Sequence, residues 1–297
     1  MQVQRWSSAA ASILQHQQTV VGWVQACYAR IVNLRTPSGR LLTLQGQGLL
    51  QAPLALALTG EFAALVPCLP VGALVLQHRS ETCGMPAGLR LVCAGADVWD
   101  GRVRPVPALT AAALASRANM LTAWLVGHVP ARGLAPLLTA WYEEGRTTVC
   151  QRVSDAFMPL LAGRGIMPPG ILGMISQVVG LGEGLTPSGD DLLVGLLAVL
   201  HVTGRLHTLL PPAQHQQFLQ TVSAGTLALS AEFLHCALEG NFAEPVVCLI
   251  RSLFLLAPDE WPVHAATLAA VGHSSGIDAM VGMVLGCRLL ERHAGSG

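Results

Sequence analysis

One phrase occurs twice in this chain, and it limits the fold more than any other feature. Ser188-Gly189-Asp190-Asp191-Leu192-Leu193-Val194-Gly195 is echoed by Ser275-Gly276-Ile277-Asp278-Ala279-Met280-Val281-Gly282, with Ser, Gly, Asp, Val and Gly in common. A Gly-rich lead-in precedes each copy: Gly180-Leu181-Gly182-Glu183-Gly184-Leu185-Thr186-Pro187 in the first, Gly272-His273-Ser274 in the second. Each copy then runs into an apolar segment of helical spacing. The pattern predicts a tight loop delivering the chain to a helix N-terminus, used twice. Such an end gathers unpaired N–H groups and a partial positive charge, and so suits an oxyanion.

Local chemistry supports a helix start in both places. Ser188 with Asp191 three positions on fits a capping box, and Thr186 is an alternative cap that would put Pro187 first in the helix. Gly180, Gly182 and Gly184 permit positive φ, and successive N–H groups in such a loop can form an anion-binding nest. Capping alone accounts for one copy. Two copies, each with a Gly one turn after its Asp, call for more. A glycine inside a helix costs about 1 kcal/mol relative to alanine, so Gly195 and Gly282 serve the close approach of another backbone. Gly286 extends that small face in the second helix. Two helices crossing at these glycines would bring both loops together around one site. The candidate contacts to an anionic substrate are Gly182, Gly184, Thr186, Ser188, Gly189, Ser274, Ser275 and Gly276. Asp191, Asp278 and His273 are the candidates for catalysis, His273 because it stands beside the second loop and titrates near neutrality.

The carboxylates create a tension. Asp190, Asp191, Asp278 and Glu183 are negative near a site proposed for an anion. A Mg²⁺ could bridge carboxylate and phosphate. The carboxylates could instead accept from amide or ureido N–H groups, or they could only cap. No dedicated metal site is read: the ten histidines and eight cysteines show no H-E-x-x-H and no C-x-x-C. Most cysteines sit in apolar surroundings, whereas Cys83, beside Gly84 and Pro86, reads as exposed. Ser223, Thr226 and Ser230 would share a face of one helix, and Arg117 and Asn119 belong to another. No nucleophile triad, Walker loop or dinucleotide fingerprint is found.

Around these motifs the chain changes character once. Residues 1–107 carry short apolar runs cut by turns, with strands expected at 20–34 (24–28 also compatible with helix), 40–44, 73–78 and 89–93 and a turn at Thr36-Pro37-Ser38-Gly39. Residues 108–297 read as helical, at 108–126, 131–144, 149–162, 187–202, 213–238, 243–255, 261–271 and 277–292, with a loose Gly-Ser-Gly end. The fold class is therefore α+β: a small β-rich barrel or sandwich-like part followed by a larger, mostly helical part. Apolar residues make up 52% of the chain and charged residues only 11%, which calls for a large core or a subunit interface, homo-oligomeric or with a partner. Charge is balanced without basic clusters, so neither nucleic acid nor an anionic membrane is implied, and no apolar run is long enough to span a bilayer. With no signal-peptide core, the chain reads as cytoplasmic.

The string Gly182-Glu183-Gly184-Leu185-Thr186-Pro187-Ser188-Gly189-Asp190-Asp191, with the later Gly272-His273-Ser274-Ser275-Gly276-Ile277-Asp278, resembles the AllH-type family of oxamate carbamoyltransferase subunits. The resemblance extends over most of the chain and departs at Ile277, where many relatives carry Thr. It implies a role in anaerobic allantoin and purine-nitrogen catabolism. The reaction would be transfer of a carbamoyl group between oxalurate and phosphate, with oxamate and carbamoyl phosphate as products. FdrA-like and AllG-like subunits would be the partners. Two other readings of the residues stay open: a Mg²⁺-dependent phosphotransferase, and a non-catalytic scaffold subunit.

Overall fold

The computed structural model describes residues 1–16, 20–79, 82–84, 88, 90–129, 131–139, 148–161, 170–255 and 260–294. Two compact units make up the chain, Met1–Arg102 and Val103–Gly297.

In the first unit nine strands form one sheet: β1 (Val3–Ser7), β2 (Val20–Cys27), β3 (Ile31–Arg35), β4 (Leu41–Gly46), β5 (Ala55–Leu58), β6 (Leu74–Arg79), β7 (Thr82–Gly84), β8 (Arg90–Val92) and β9 (Asp97–Trp99). Their order is β8-β7-β6-β2-β3-β4-β5-β1-β9. Pairing is antiparallel except for β4 with β5 and β1 with β9. Gln2 bridges Val92, and the Met1 amino group donates to the Arg90 carbonyl at 2.7 Å. These contacts join the start of the chain to β8, far along the strand order, so the sheet curls into a half-barrel. The turn at Thr36–Gly39 forms as expected: Gly39 takes a φ of 82°, and the Thr36 hydroxyl accepts from Arg40 N at 3.0 Å. Residues 24–27 belong to a strand, not a helix. Two elements lacked a clear signal. β5 reads Ala-Leu-Ala-Leu and is buried at every position, so neither alternation nor β-propensity marks it. Helix α1 (Ser8–His16) follows β1 with no intervening turn residue. Cys83 is buried in β7, against expectation, because its strand lies between β6 and β8.

The second unit is helical: α3 (Ala111–His128), α4 (Thr148–Leu161), α5 (Gly170–Val178), α6 (Ser188–Val202), α7 (Leu206–Leu209), α8 (His215–Gly225), α9 (Ala228–Leu238), α10 (Glu244–Leu255), α11 (Trp261–Ala269) and α12 (Ser275–Ala294); a single short turn, α2 (Phe62–Leu65), belongs to the first unit. Thr110 caps α3 by accepting from Ala113 N at 3.2 Å. α6 is the centre of this unit. From Gly189 to Val202 only Val194 and His201 escape burial, as expected of a helix with no polar face.

Two expected helices differ. Of 131–144, residues 135–138 form a short 3₁₀ turn, and 140–144 lie outside the described residues, as do Leu89, Pro86, Ala162 and the terminal Gly-Ser-Gly. The run 213–238 is two helices, not one. α8 stops at Gly225, and Thr226 is extended at φ −143° and ψ −179°. Ser223 is therefore exposed on α8, Thr226 lies in the break, and Ser230 is buried on α9; they share no helix face. Arg117 stacks on the Phe254 ring, and Asn119 accepts from Arg288, so neither feeds a cleft. Among the described residues no helix is long and apolar enough to cross a membrane.

Candidate functional site

The glycines on α6 and α12 set the geometry. A Cβ at Gly195 would stand 1.8 Å from the Ala279 carbonyl oxygen, and one at Gly282 would stand 1.9 Å from that of Leu192. Ala279 is the counterpart of Leu192 in the repeated phrase, and Gly282 that of Gly195. The contact is thus reciprocal, and the helices cross about a local two-fold axis. The likeness reaches backward as well. A Cβ at Gly189 would meet the Val178 carbonyl at 2.1 Å, and one at Gly276 the Leu268 carbonyl at 1.6 Å. Gly189 N donates to Leu181 O, Gly276 N to Val271 O, Leu181 N to Val178 O and Val271 N to Leu268 O. What repeats is therefore a whole helix–glycine turn–helix unit, α5–α6 and α11–α12. In both, a positive-φ glycine, Gly182 at 118° and Gly272 at 62°, lies against the serine that opens the second helix.

The crossing places the two loops side by side. Thr186 Oγ1 and Ser275 Oγ are 3.0 Å apart. Asp191 interacts with the Ser275 and Thr186 hydroxyls, and Asp278 with those of Ser188 and Ser274. Each aspartate thus addresses the serine of the other copy. The capping box expected of Ser188 and Asp191 is not formed: the N-cap of α6 is Pro187, and no side chain caps it. Thr186 does not cap it either. The carboxylate reaches across the axis instead.

Burial gives this cluster its chemistry. Asp278 has 0% and Asp191 8% of its surface exposed, and Oδ2 of each has no hydrogen-bond partner. Loss of hydration pushes the Asp191 carboxyl up to about 7; the Ser275 and Thr186 hydroxyls pull it back, and the neighbouring Asp278 and Asp190 charges add to the rise. Burial likewise raises Asp278, against hydrogen bonds from Leu134 N, Ser188 and Ser274. The ends of α6 and α12 bring partial positive charge to the same place. Ser188 and Ser275 are half-buried, while Gly182, Gly184 and His273 are exposed. A Cβ at Gly184 would meet nothing within 4 Å, so its φ of 90° alone asks for glycine there.

Three features carried no sequence signal. Leu134 N donates to Asp278 Oδ1 at 2.6 Å, and a Cβ at Gly133 would fall 2.2 Å from that oxygen. The Arg132 guanidinium donates to the His273 carbonyl, so this residue's backbone, not its ring, is engaged. Asp190, read only as one more charge, is a tie: Gly180 N donates to its Oδ1 at 2.8 Å, and the Ser230 and Thr226 hydroxyls donate to its Oδ2. Among the described residues no group of three or more His, Cys, Asp or Glu gathers to hold a metal. A cation here would have the oxygens of Asp191, Asp278 and the hydroxyls, opposed by two positive helix ends. A cavity of about 330 Å³ opens at the opposite end of α6, lined by Leu109, Leu114, Arg205, Leu209 and Leu290 among others, and no candidate residue lines it.

Comparison with known families matches both units. No solved structure matches the chain. Residues 3–97 match the AllH family N-terminal domain, and residues 178–287, which contain both loops, match the oxamate carbamoyltransferase subunit AllH. The crossed loops, which lie towards the two ends of the second match, and the half-barrel that fills the first, are those of a chain that belongs to the AllH family of oxamate carbamoyltransferase subunits.

Proposed function

We propose that this chain supplies the carbamoyltransferase with the site that holds phosphate against the carbamoyl donor, and that the two crossed helix N-termini are that site. The carrying observation is the side-by-side placement of Thr186, Ser188 and Ser275 at two helix ends, over a buried carboxylate pair. Phosphate and carbamoyl phosphate want hydrogen-bond donors and positive charge. The N–H groups of Gly189, Asp190, Asp191, Gly276 and Asp278 donate within the chain, so the site brings the hydroxyls of Thr186, Ser188 and Ser275 and the partial positive charge of two helix ends. The same donors stabilise the oxyanion formed as phosphate attacks the carbamoyl carbon of oxalurate. A ureido group wants a carboxyl partner for its nitrogen, and Asp191 is the one with residual exposure. Oxamate is the other product. FdrA-like and AllG-like subunits complete the assembly, in keeping with membership of a subunit family.

The test is steady-state kinetics of the assembled transferase carrying Ser188→Ala, Ser275→Ala or both. The KM for phosphate should rise tenfold or more in the double variant, each lost charge-assisted hydrogen bond being worth about 1.5–3 kcal/mol, while the chain stays folded with a melting temperature lowered by the two hydroxyl partners that the buried carboxyls lose. An unchanged phosphate KM in the double variant would move the anion site elsewhere.

A further inference from the structure

The reciprocal pairing leaves one matter of charge unresolved. Two carboxylates are buried in one cluster, and each keeps an oxygen without a partner. A buried polar group without a hydrogen bond is costly, and a buried unpaired charge more so. Each helix N-terminus offers about half a positive charge, so the two together offset about one carboxylate. One negative charge is left over, and a proton neutralises it most directly. A neutral carboxyl also brings an O–H donor into a cluster whose unpaired atoms are both acceptors.

Among the described residues no other counter-charge acts on the pair. The charges that act on Asp191 are those of Asp278 and Asp190, and Asp190 is already bound by Gly180, Thr226 and Ser230. On the loops, Glu183 and His273 are exposed, and Arg132 is engaged by the His273 carbonyl. Helix α5 carries no titratable group. The neighbouring helices contribute Arg117 and His128 on α3, the latter bonded to the Trp124 carbonyl, Arg152 and Asp155 on α4, Glu232 and His235 on α9, Glu244 and Arg251 on α10, and His264 on α11, none of which acts on the pair. The two aspartates are not equivalent. Asp278 accepts from a backbone N–H and two hydroxyls, which favours its anion. Asp191 has two hydroxyls only, faces the Asp278 charge, and has the residual exposure.

We propose that Asp191 and Asp278 form a one-proton pair across the local two-fold axis, in which Asp191 exchanges the proton with substrate and Asp278 is its positioning partner. The proposal rests on the phosphate-carbamoyl reading of the site. Asp191 starts protonated. As a phosphate oxygen bonds to the carbamoyl carbon, the bond from that carbon to the amide nitrogen breaks. Asp191 gives its proton to that nitrogen, which leaves as the amide of oxamate. It then regains a proton from the attacking phosphate hydroxyl, so protons and charge balance over one turnover.

Infrared difference spectra of the full-length chain in D₂O, across neutral pH, read the pair without turnover. One protonated-carboxyl band should fade as pH rises through about 7 and be missing in Asp191→Asn. In Asp278→Asn its midpoint should move to lower pH, since the repelling charge is gone; a merely structural Asp278 would leave it in place. In the assembled transferase Asp191→Asn should lower kcat about 100-fold or more and remove the alkaline limb of the pH profile. Phosphate binding by calorimetry separates the two ideas. Binding without the carboxyl band overturns the pair and leaves the anion site standing. The band without phosphate binding overturns the anion site and the relay with it.

Discussion

The two helix–turn–helix units agree where they face each other and differ where they face the rest of the protein. Of the shared positions, Ser188 and Ser275, Asp191 and Asp278, and Gly195 and Gly282 lie at the crossing, while Gly189 and Gly276 seat each helix on the one before it. The position after the first glycine is not shared. In the first unit it is Asp190, which ties the long loop to the α8–α9 break through three donors. In the second it is Ile277, wholly buried, while the shorter loop is held from outside by Arg132 and Leu134. The mutual contact fixes the common residues. The means of holding each loop is local, and each unit found its own.

The comparison breaks most readily at the crossing itself. Valine at Gly195 or Gly282 would drive a side chain into a backbone carbonyl that cannot give way, so either variant should lose several kcal/mol or fail to fold, read by chemical denaturation. Equal losses in the two variants would match a two-fold axis; tolerance at one position would deny it. A smaller effect should separate the loops. Asp190→Ala strands three buried or half-buried donors, at about 1–3 kcal/mol for each one left unpaired, so roughly 3 kcal/mol overall is expected. Hydrogen exchange should localise the loosening to 180–186 and the α8–α9 break, with the second loop still protected. Equal loosening of both loops would show that one tie serves the pair.

The mildest effect is on pH dependence. Asp191 is raised to about 7 in the folded chain from an ordinary 3.8, so its contribution to stability is full below the ordinary value and is lost as pH rises through about 7. The melting temperature should therefore fall by several degrees from pH 4 to 8, and Asp191→Asn should flatten the decline. A wild-type melting temperature that climbs over this range would place the charge elsewhere.

The sequence was most readable where backbone geometry is demanding. Glycines with positive φ, a proline and a repeated spacing mark both helix starts, and Gly195 and Gly282 announce the crossing before any coordinate. Apolar periodicity misled where other contacts interrupt it: residues 213–238 keep helical spacing straight through Thr226, while the Asp190 carboxylate and the close approach of Gly180 to the Gly225 carbonyl meet at the break. Capping chemistry misled in a similar way. Ser188 and Asp191 have the spacing to satisfy one another, yet a partner from the other copy outcompetes the local one. Nothing in Arg132-Gly133-Leu134 announces its contact with a carboxylate so distant in the chain.

The crossing has a further cost during synthesis. α6 is apolar nearly all round, and its principal partner, α12, is made only after five intervening helices. At 5–20 residues per second, that wait is roughly 4–15 s. For this time a ribosome-bound chain carries a sticky helix whose cover does not yet exist. Demand for chaperones, and inclusion bodies on fast overexpression, would follow from that order of elements alone, however stable the finished fold.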